Sequence, residues 1–353
     1  MRIDSLHLQD FRNYQDARWD FEADKVVFYG SNGQGKTNIL EAIGIMSVTK
    51  SWRDNTPRSL IKNEAENGKI TLKQGYDVFE GLIQLKSRSF SKNSKSLTQK
   101  ALIGQIPTLL FCPEMIHLFS GVKKQRILFF DRFLAQMSET YKDMLLKSDK
   151  AHRNKTALLK QSEIYSSSLI DQLQPWNEVL VETVPEIYRL RMEFLNLLNP
   201  ILEMKYQKIS GTQEPVEIQL VLSEDYEPTE AGCRSFLEKY QRREIAAMKN
   251  FLSPGRDDFI FELREKPLIQ SASRGESRSM LLALIAAQKE YLIEQKSVSP
   301  ILLLDDVFSE LDTQRQSYLE RLCEGVQTFF STTHDTHFEG FETAIQKIKV
   351  TKT

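Results

Sequence analysis

The chain has 353 residues and a mass of 40.9 kDa, with 41% hydrophobic and 27% charged residues. This length exceeds what one hydrophobic core usually serves, and the composition excludes a disordered or fibrous protein. Its 47 basic and 48 acidic residues give a formal charge of −1, so overall basicity does not indicate a nucleic-acid partner.

Membrane and disulfide classes are also excluded by the sequence. The longest apolar run, Met280 to Ala287, is too short to span a membrane. The first residues, Met1 to His7, are too charged for a signal peptide, so we expect a cytoplasmic protein. Three scattered cysteines (Cys112, Cys233 and Cys323) form no CxxC pair, which argues against zinc and against a disulfide framework.

The first elements in chain order predict an antiparallel meander, because apolar and polar residues alternate from Ile3 to Phe21. Lys25 to Tyr29 predicts a short buried strand, and Thr37 to Met46 predicts a helix with an apolar stripe. Further strand-like segments continue to about Phe111.

A glycine-rich turn joins that strand to that helix and matches the pattern GxxxxGK[ST]. Glycines let the loop curl so that backbone N–H groups point onto phosphate oxygens, and the following helix adds its positive dipole end. Lys36 would bridge the β- and γ-phosphates of ATP, and the Thr37 hydroxyl would bind Mg²⁺. The residues predicted to bind the nucleotide are Gly30, Ser31, Asn32, Gly33, Gln34, Gly35, Lys36 and Thr37.

Basic residues are unevenly distributed. The stretch from Gly81 to Pro113 has no acidic residue, and further basic clusters lie at 123–126 and 147–160. Such runs are usually solvated faces, although they are consistent with a track for a phosphate backbone without sequence readout. The candidate DNA contacts are Lys86, Arg88, Lys92 and Lys95.

A change of character between about Gln136 and Leu252 predicts an inserted helical lobe. This stretch is rich in Leu, Glu, Lys and Gln at helical spacing. Prolines at 175, 185, 200 and 215 each remove a backbone donor, so we expect a compact lobe and no long helical arm. The predicted domains are 1–135 and 253–353 for the two parts of an α/β core, and 136–252 for the lobe.

The C-terminal part repeats the strand–turn–helix pattern. Four apolar residues, Ile301 to Leu304, predict a buried strand that delivers two carboxylates beside the phosphate loop. Asp305 would hold Mg²⁺ through water, and Asp306 would orient the attacking water, which makes Asp306 and Lys36 the candidate catalytic residues. Solvated acids at the end of a strand are the simpler alternative.

Three further features have ordinary structural explanations. Ser273 to Gly275 precedes a predicted helix, Ser279 to Leu292, and could be a plain helix N-terminus. Asp312 follows Ser309 at the spacing of a helix-start box. His334 follows a predicted strand, Thr328 to Ser331, and could form a surface pair with His337.

Taken together, the order of these motifs resembles that of the ABC-type ATPases. The resemblance implies that Ser273 and Gly275 reach the γ-phosphate held by a second copy of the chain, with Asp312 in the dimer seam. It also implies that His334 senses the γ-phosphate.

Longer stretches resemble the RecF family of ABC-type, SMC-like ATPases of recombinational DNA repair. Those stretches are 11–14, 33–43, 51–53, 121–131, 256–258 and 303–312. The family pattern differs here at Lys123, Ile127 and Gly255, and none of these positions touches Lys36, Asp305 or Asp306. The fold implied is α/β, an ABC-type P-loop ATPase head with an inserted compact helical lobe.

The resemblance also implies a function. The protein would bind ATP and Mg²⁺, form an ATP-dependent homodimer and hold single- and double-stranded DNA where the two meet. It would act with RecR and RecO in loading RecA, with links to replication and the SOS response, and slow, DNA-stimulated hydrolysis would release the dimer.

Three alternatives remain at this point. An SMC-like ATPase with long arms would need a longer insertion and a CxxC at its tip. A scaffold that binds DNA and uses ATP only for stability would not need the acidic pair at 305–306. A small-molecule kinase would have no use for the Ser273 turn.

Overall fold

The structure is a computed structural model that describes residues 2–54, 56–161, 167–334, 338 and 344–351. The strands are Ser5–Phe11 (β1), Tyr14–Asp20 (β2), Lys25–Tyr29 (β3), Asn67–Gln74 (β4), Asp77–Gln84 (β5), Arg88–Lys92 (β6), Lys95–Leu97 (β7), Thr108–Phe111 (β8), Val216–Val221 (β9), Asp258–Leu263 (β10), Lys266–Pro267 (β11), Ile301–Asp305 (β12), Thr328–Thr332 (β13) and Ile345–Lys349 (β14). The helices are Lys36–Val48 (α1), Pro57–Leu60 (α2), Gln99–Leu102 (α3), His117–Ser120 (α4), Lys123–Met137 (α5), Glu139–Gln161 (α6), Ser167–Ser210 (α7), Glu230–Ala247 (α8), Leu268–Ser271 (α9), Arg274–Lys296 (α10), Val307–Glu310 (α11) and Thr313–Cys323 (α12).

The chain divides into two units, and a parallel sheet organises the first. Unit 1 comprises residues 1–117, 201–213 and 272–353. Its five-stranded sheet has the order β14–β3–β13–β12–β8, with every pair parallel. Since β3 lies between β13 and β14, strands from both ends of the chain build one sheet. The predicted α/β core is confirmed.

A second sheet of unit 1 is antiparallel and has the order β2–β1–β4–β5–β6–β7. Helix α1 contacts both sheets, and all of its residues from Ile39 to Ser47 are buried. One hydrophobic cluster joins side chains of α1 to those of both sheets. The helix that begins at the phosphate loop is therefore fixed on two sides.

Unit 2 comprises residues 118–200 and 214–271 and is not wholly helical. Strand β9 falls inside the segment predicted as helical and pairs with β10, which in turn pairs with β11. The prediction missed β9 because its pairing partner lies outside the segment. Unit 2 extends across both predicted lobe boundaries, 136 and 252, which stay a prediction.

Helix α7 contradicts the expectation that prolines exclude a long helix. It has 44 residues, or about 66 Å at 1.5 Å per residue, and contains Pro175, Pro185 and Pro200. Each interior proline costs about 3 kcal/mol. Burial outweighs this cost, since each buried apolar side chain stabilises by about 1.5–3 kcal/mol. The buried residues include Leu173, Leu180, Val181, Val184, Ile187, Phe194, Leu195, Leu198, Leu202 and Tyr206.

Among the helices of the described residues, none combines the length and apolar character that crossing a membrane requires.

Candidate nucleotide-binding site

The phosphate loop connects β3 to α1, as its sequence predicts. Gly30, Gly33 and Gly35 have φ angles of 148°, 79° and 107°. A Cβ on Gly30 would lie 2.4 Å from the carbonyl oxygen of Val350, and one on Gly35 would lie 2.6 Å from the Asn13 amide. Both glycines are therefore required by conformation and by close approach.

The loop presents a row of free backbone donors. Within the described part of the chain, the N–H groups of residues 31–35 donate no hydrogen bond. Residues 31–33 are exposed, and the first turn of α1 follows them. Free N–H groups at a helix N-terminus form an anion-binding site.

Lys36 is held inside this loop by neutral groups. The side chain is 8% exposed, and its Nζ donates to the carbonyl oxygens of Gly30 at 2.7 Å and Ser31 at 2.9 Å. Burial lowers the pKa of Lys36, and the charges of Asp306 and Asp305 raise it. No carboxylate of the described residues forms an ion pair with this ammonium, so its charge remains available to a ligand.

Asp305 and Thr37 are brought together from opposite ends of the chain. The Thr37 hydroxyl donates to Asp305 Oδ1 at 2.9 Å, and the Ser331 hydroxyl donates to the same oxygen. Burial raises the pKa of Asp305, and these two hydrogen bonds oppose that rise. The hydroxyl and carboxylate oxygens are hard ligands that fit Mg²⁺, which usually binds one or two protein oxygens together with phosphates and water.

Asp306 differs from its neighbour in conformation. It caps the start of α11 with φ 46°, and its N–H donates to the carbonyl and hydroxyl oxygens of Ser331, each at 3.1 Å. Its side chain is half-buried, and its carboxylate accepts no hydrogen bond from the described residues. The left-handed backbone turns this carboxylate out of the line of β12, free for another partner.

Sequence analysis missed the polar support beneath the loop. Glu41 of α1 is fully buried and accepts from Arg12 at 2.9 and 2.6 Å and from the Ser51 hydroxyl. Asn13 donates to the carbonyl oxygen of Gln34 at 3.1 Å. A charged Glu41 among the apolar residues of α1 is the signal that could have revealed it, because a buried carboxylate requires partners.

The three residues predicted to act on a partner's nucleotide form one cluster. Ser273 caps α10 in a capping box: its hydroxyl accepts from Glu276 N–H, and its own N–H donates to the Glu276 carboxylate. Asp312 caps α12 and pairs with Arg315. Arg315 also donates to Ser279 of α10 at 2.9 Å, and its guanidinium lies 3.5 Å from a Cβ built on Gly275.

Structural roles are thus visible for two of these residues, since Ser273 and Asp312 both cap helices. Both side chains are exposed, so capping does not prevent contact with a second copy. His334 lies two residues beyond β13 and is exposed. His337 lies outside the described residues.

The candidate DNA contacts lie around the β6–β7 hairpin of unit 1. Lys92, opposite Lys95 in register, pairs with Asp77 at 2.8 Å. Arg88 is half-buried and donates to the carbonyl oxygen of Thr49 at 2.9 Å. Lys86 and Lys95 are exposed and form no ion pair with the described residues. The hairpin therefore presents less free positive charge than its sequence indicates.

The fold and site combine a parallel sheet, a glycine-rich phosphate loop after β3 and an acidic end of β12, which is separated from β3 by β13. These features define a P-loop protein with an ABC-type ATPase fold. No cluster of three or more metal-binding His, Cys, Asp or Glu side chains occurs among the described residues. Any metal at this site would therefore depend on ligand oxygens and water as well as on the protein.

Comparison with known proteins places the chain more closely. A family model described as RecF/RecN/SMC N terminal domain matches residues 2–353. The DNA replication and repair protein RecF of Natranaerobius thermophilus is 31% identical over 360 residues, which cover 96% of this chain and 93% of that protein. The protein of the same name from Cyanothece sp. is 32% identical over 347 residues, with coverage of 95% and 92%.

A solved structure of the recombination mediator protein RecF with ATPrS, described as part of the RecFOR pathway, is also similar. Its TM-score is 0.87 at 26% identity, with 99% of this chain and 98% of that chain covered. The chain belongs to the RecF family.

Proposed function

We propose that this protein binds ATP at the phosphate loop and acts in DNA replication and repair. The proposal rests on the phosphate loop of a chain that belongs to the RecF family. The backbone N–H groups of residues 31–35 are free to bind an anion, and the buried Lys36 that follows them donates only to carbonyl oxygens. Its relatives are named DNA replication and repair protein RecF, and a similar structure contains RecF with ATPrS.

Nucleotide binding follows from these groups. Phosphate oxygens accept from the N–H groups of the loop, and Lys36 exchanges its carbonyl partners for the β- and γ-phosphates. Thr37 and Asp305 hold Mg²⁺, which neutralises phosphate charge. Asp306 orients the attacking water through its free carboxylate, and His334 contacts the γ-phosphate.

Assembly is the second part of the proposal. A second copy of the chain completes the site with Ser273, Gly275 and Asp312, so that ATP binding drives formation of a homodimer. The exposed hydroxyl of Ser273 lies at the N-terminus of the 23-residue helix α10, where the helix dipole favours an incoming phosphate. Arg315 pairs with Asp312 and lies beside Gly275, which places both residues near one guanidinium.

The third part of the proposal is that the ATP-dependent homodimer acts on DNA. The ATP-bound dimer clamps DNA where single and double strands meet, acts with RecR and RecO in loading RecA, and leaves after slow hydrolysis. Support comes from the names of the relatives and from the RecFOR pathway of the similar RecF structure.

The test is the molecular mass in solution, by light scattering, without ATP, with ATP, and with ATP and gapped DNA. We expect a monomer without ATP and a dimer with it. Lys36→Met should lose ATP binding and dimerisation together, whereas Ser273→Arg should keep ATP binding and remain monomeric.

A matched control for Ser273→Arg is Thr229→Arg. It also removes a helix cap, that of α8, at a cost of about 1 kcal/mol, and adds the same charge to a helix of unit 2. It should dimerise normally. A Ser273→Arg protein with lost ATP affinity would show that Ser273 acts within its own subunit, and a Lys36→Met protein that dimerises with ATP would contradict the proposed assembly.

A further inference from the structure

A pocket in unit 2 is lined by residues of polar types whose presence there the nucleotide site does not explain. Its volume is about 300 Å³, and it is lined by His152 and Thr156 of α6 and by Lys249, Asn250 and Arg256 of the segment between α8 and β10. His152 and Thr156 are one helical turn apart and therefore face the same side of α6. We name this site the lobe pocket.

The lobe pocket is cationic. None of its five lining residues is acidic. Lys249 forms no ion pair with the described residues, whereas Arg256 has Glu224 at 3.5 Å. Burial lowers the pKa of His152, as do the charges of Lys155, Arg256 and Arg153 in turn. Lys155 is itself neutralised by Glu244 and Arg256 is partly neutralised by Glu224, so the exposed cations Lys249 and Arg153 carry most of the positive charge around the pocket.

Two buried polar atoms of the lobe pocket have no partner. Asn250 is 3% exposed and its Oδ1 accepts no hydrogen bond, and the Thr156 hydroxyl also lacks a partner. Leaving such atoms unpaired costs about 1–3 kcal/mol each. A ligand that accepts hydrogen bonds would remove the cost at Thr156, whose hydroxyl can donate, whereas the Asn250 oxygen, as an acceptor, would need a donor.

Asn250 can also become a donor without any change of position. Its Nδ2 lies 2.9 Å from His152 Nδ1. Turning the amide by 180° exchanges oxygen and nitrogen, and the imidazole tautomer with a proton on Nδ1 then donates to the amide oxygen. The amide NH₂ group is then free for a bound anion.

The remaining contacts hold Arg256 at the rim. Its Nη1 donates to the carbonyl oxygen of Asn250 at 3.1 Å, and its guanidinium lies 5.5 Å from the centre of the Phe251 ring. Lys123 donates to the Arg256 carbonyl oxygen at 2.7 Å. Arg256 is thus fixed before any ligand arrives, which reduces the entropy lost on binding.

We propose that the lobe pocket binds a phosphate group of the DNA backbone, with charge from Lys249 and Arg256 and hydrogen bonds from Thr156 and Asn250. This inference rests on the proposed DNA-binding function. The outer face of α6 supports a polymer over a free anion, because residues 149–161 carry the exposed cations Lys150, Arg153 and Lys160 against a single acid, Asp149. Such a row of cations follows a chain of phosphates.

The first experiment measures DNA affinity as a function of salt for the full chain with ATP. Lys249→Gln should reduce the slope of log affinity against log salt by about 0.9, the loss of one phosphate contact. Lys266→Gln removes the same charge from an exposed position on β11 of the same unit and should leave the slope unchanged. Equal effects of the two variants would show that only general surface charge matters, and would overturn the proposal.

Thr156→Val provides a second, uncharged probe that preserves shape. It should weaken DNA binding about three- to tenfold, the equivalent of one hydrogen bond, while leaving the salt slope unchanged. Unchanged affinity would show that the hydroxyl does not contact DNA.

An experiment with inorganic phosphate then distinguishes two sources of the bound phosphate group, the DNA backbone and a free anion. In a Lys36→Met background, which weakens the phosphate loop as a competitor, phosphate binding is followed by NMR of the His152 ring. One outcome is that inorganic phosphate binds saturably, that Lys249→Gln abolishes this binding, and that the protein does not bind DNA. This outcome would contradict both the DNA backbone as the source of the phosphate group and the proposed function. If the wild type binds DNA and Lys249→Gln binds it equally well, only the proposed role of the lobe pocket is overturned.

Discussion

Two buried lysines, one in each unit, are held in opposite ways. Lys36 donates to the carbonyl oxygens of Gly30 and Ser31 at 2.7 and 2.9 Å. Lys155 of α6 is fully buried, and its ammonium lies 2.7 Å from a carboxylate oxygen of Glu244, which is 3% exposed. Burial lowers the pKa of both lysines. Only the pKa of Lys155 is also raised by a carboxylate in direct contact, that of Glu244.

The contrast shows how partners distinguish a binding cation from a structural one. Carbonyl dipoles hold Lys36 in place without cancelling its charge, so an incoming anion gains the full interaction. Glu244 cancels the charge of Lys155, and nothing remains to attract a ligand. The two buried lysines therefore have different roles: Lys36 is available to bind an anion, and Lys155 stabilises the fold. The variants below test this difference.

The largest expected effect is on stability, for Lys155→Met. It leaves Glu244 buried without a counter-charge, which should lower the free energy of unfolding by about 3–5 kcal/mol in urea titrations. Addition of Glu244→Gln should restore most of this loss, because glutamine can still accept from the Phe251 N–H that now donates to Glu244 at 2.8 Å. ATP affinity should be unchanged throughout. An unaltered unfolding midpoint in the single variant would show that this pair is not the structural lysine we describe.

Lys36→Met should give the converse result. Loss of charge-assisted hydrogen bonds to phosphate should cost about 3 kcal/mol, or about a hundredfold in ATP affinity by calorimetry. Stability without nucleotide should stay within about 0.5 kcal/mol, since only contacts to carbonyl oxygens are lost. A strongly destabilised Lys36→Met protein would erase the distinction between the two lysines.

Asp306→Asn tests whether the carboxylate whose charge most raises the pKa of Lys36 serves the reaction. ATP binding should survive, and the rate of hydrolysis should fall by about a hundredfold, as expected when a group that positions and deprotonates water is lost. Asp16→Asn, an exposed change on β2 of the same unit, provides a control for charge. Unchanged turnover would remove the catalytic role of Asp306.

The smallest effect is expected in the β6–β7 hairpin. Lys86→Gln and Lys95→Gln remove cations without an acidic partner, and each should lower the salt slope of DNA binding by at most about 0.9. Lys92→Gln should change it less, because Asp77 already neutralises Lys92. A larger effect for Lys92 would show that its ion pair opens on DNA.

The sequence predicts the phosphate loop and the strand ending at Asp305 because both depend on local spacing. Gly30 and Lys36 are close in the chain, and four apolar residues before an acid are sufficient to identify a buried strand end. Lys155 belongs to a cluster that is basic in sequence, and only the fold reveals that Glu244, far along the chain, neutralises it.

Long-range packing accounts for the remaining errors. Nothing near Pro175, Pro185 or Pro200 indicates how much apolar surface α7 buries, so their local penalty suggested a break that does not occur. Strand β9 is recognisable only beside β10. The support of Glu41 by Arg12 and the lobe pocket likewise join residues that are distant in sequence.

The position of β3 between β13 and β14 has a consequence for biosynthesis. Its neighbours in the sheet, β13 and β14, follow it in the chain by about 300 residues, so a ribosome adding about 5–20 residues per second needs at least about 15 seconds after β3 to make them. Until then Gly30 lacks the Val350 carbonyl against which it packs. The nascent polypeptide therefore acquires nucleotide affinity only after β13 and β14 have been made, and a product truncated before β13 should be unable to bind ATP.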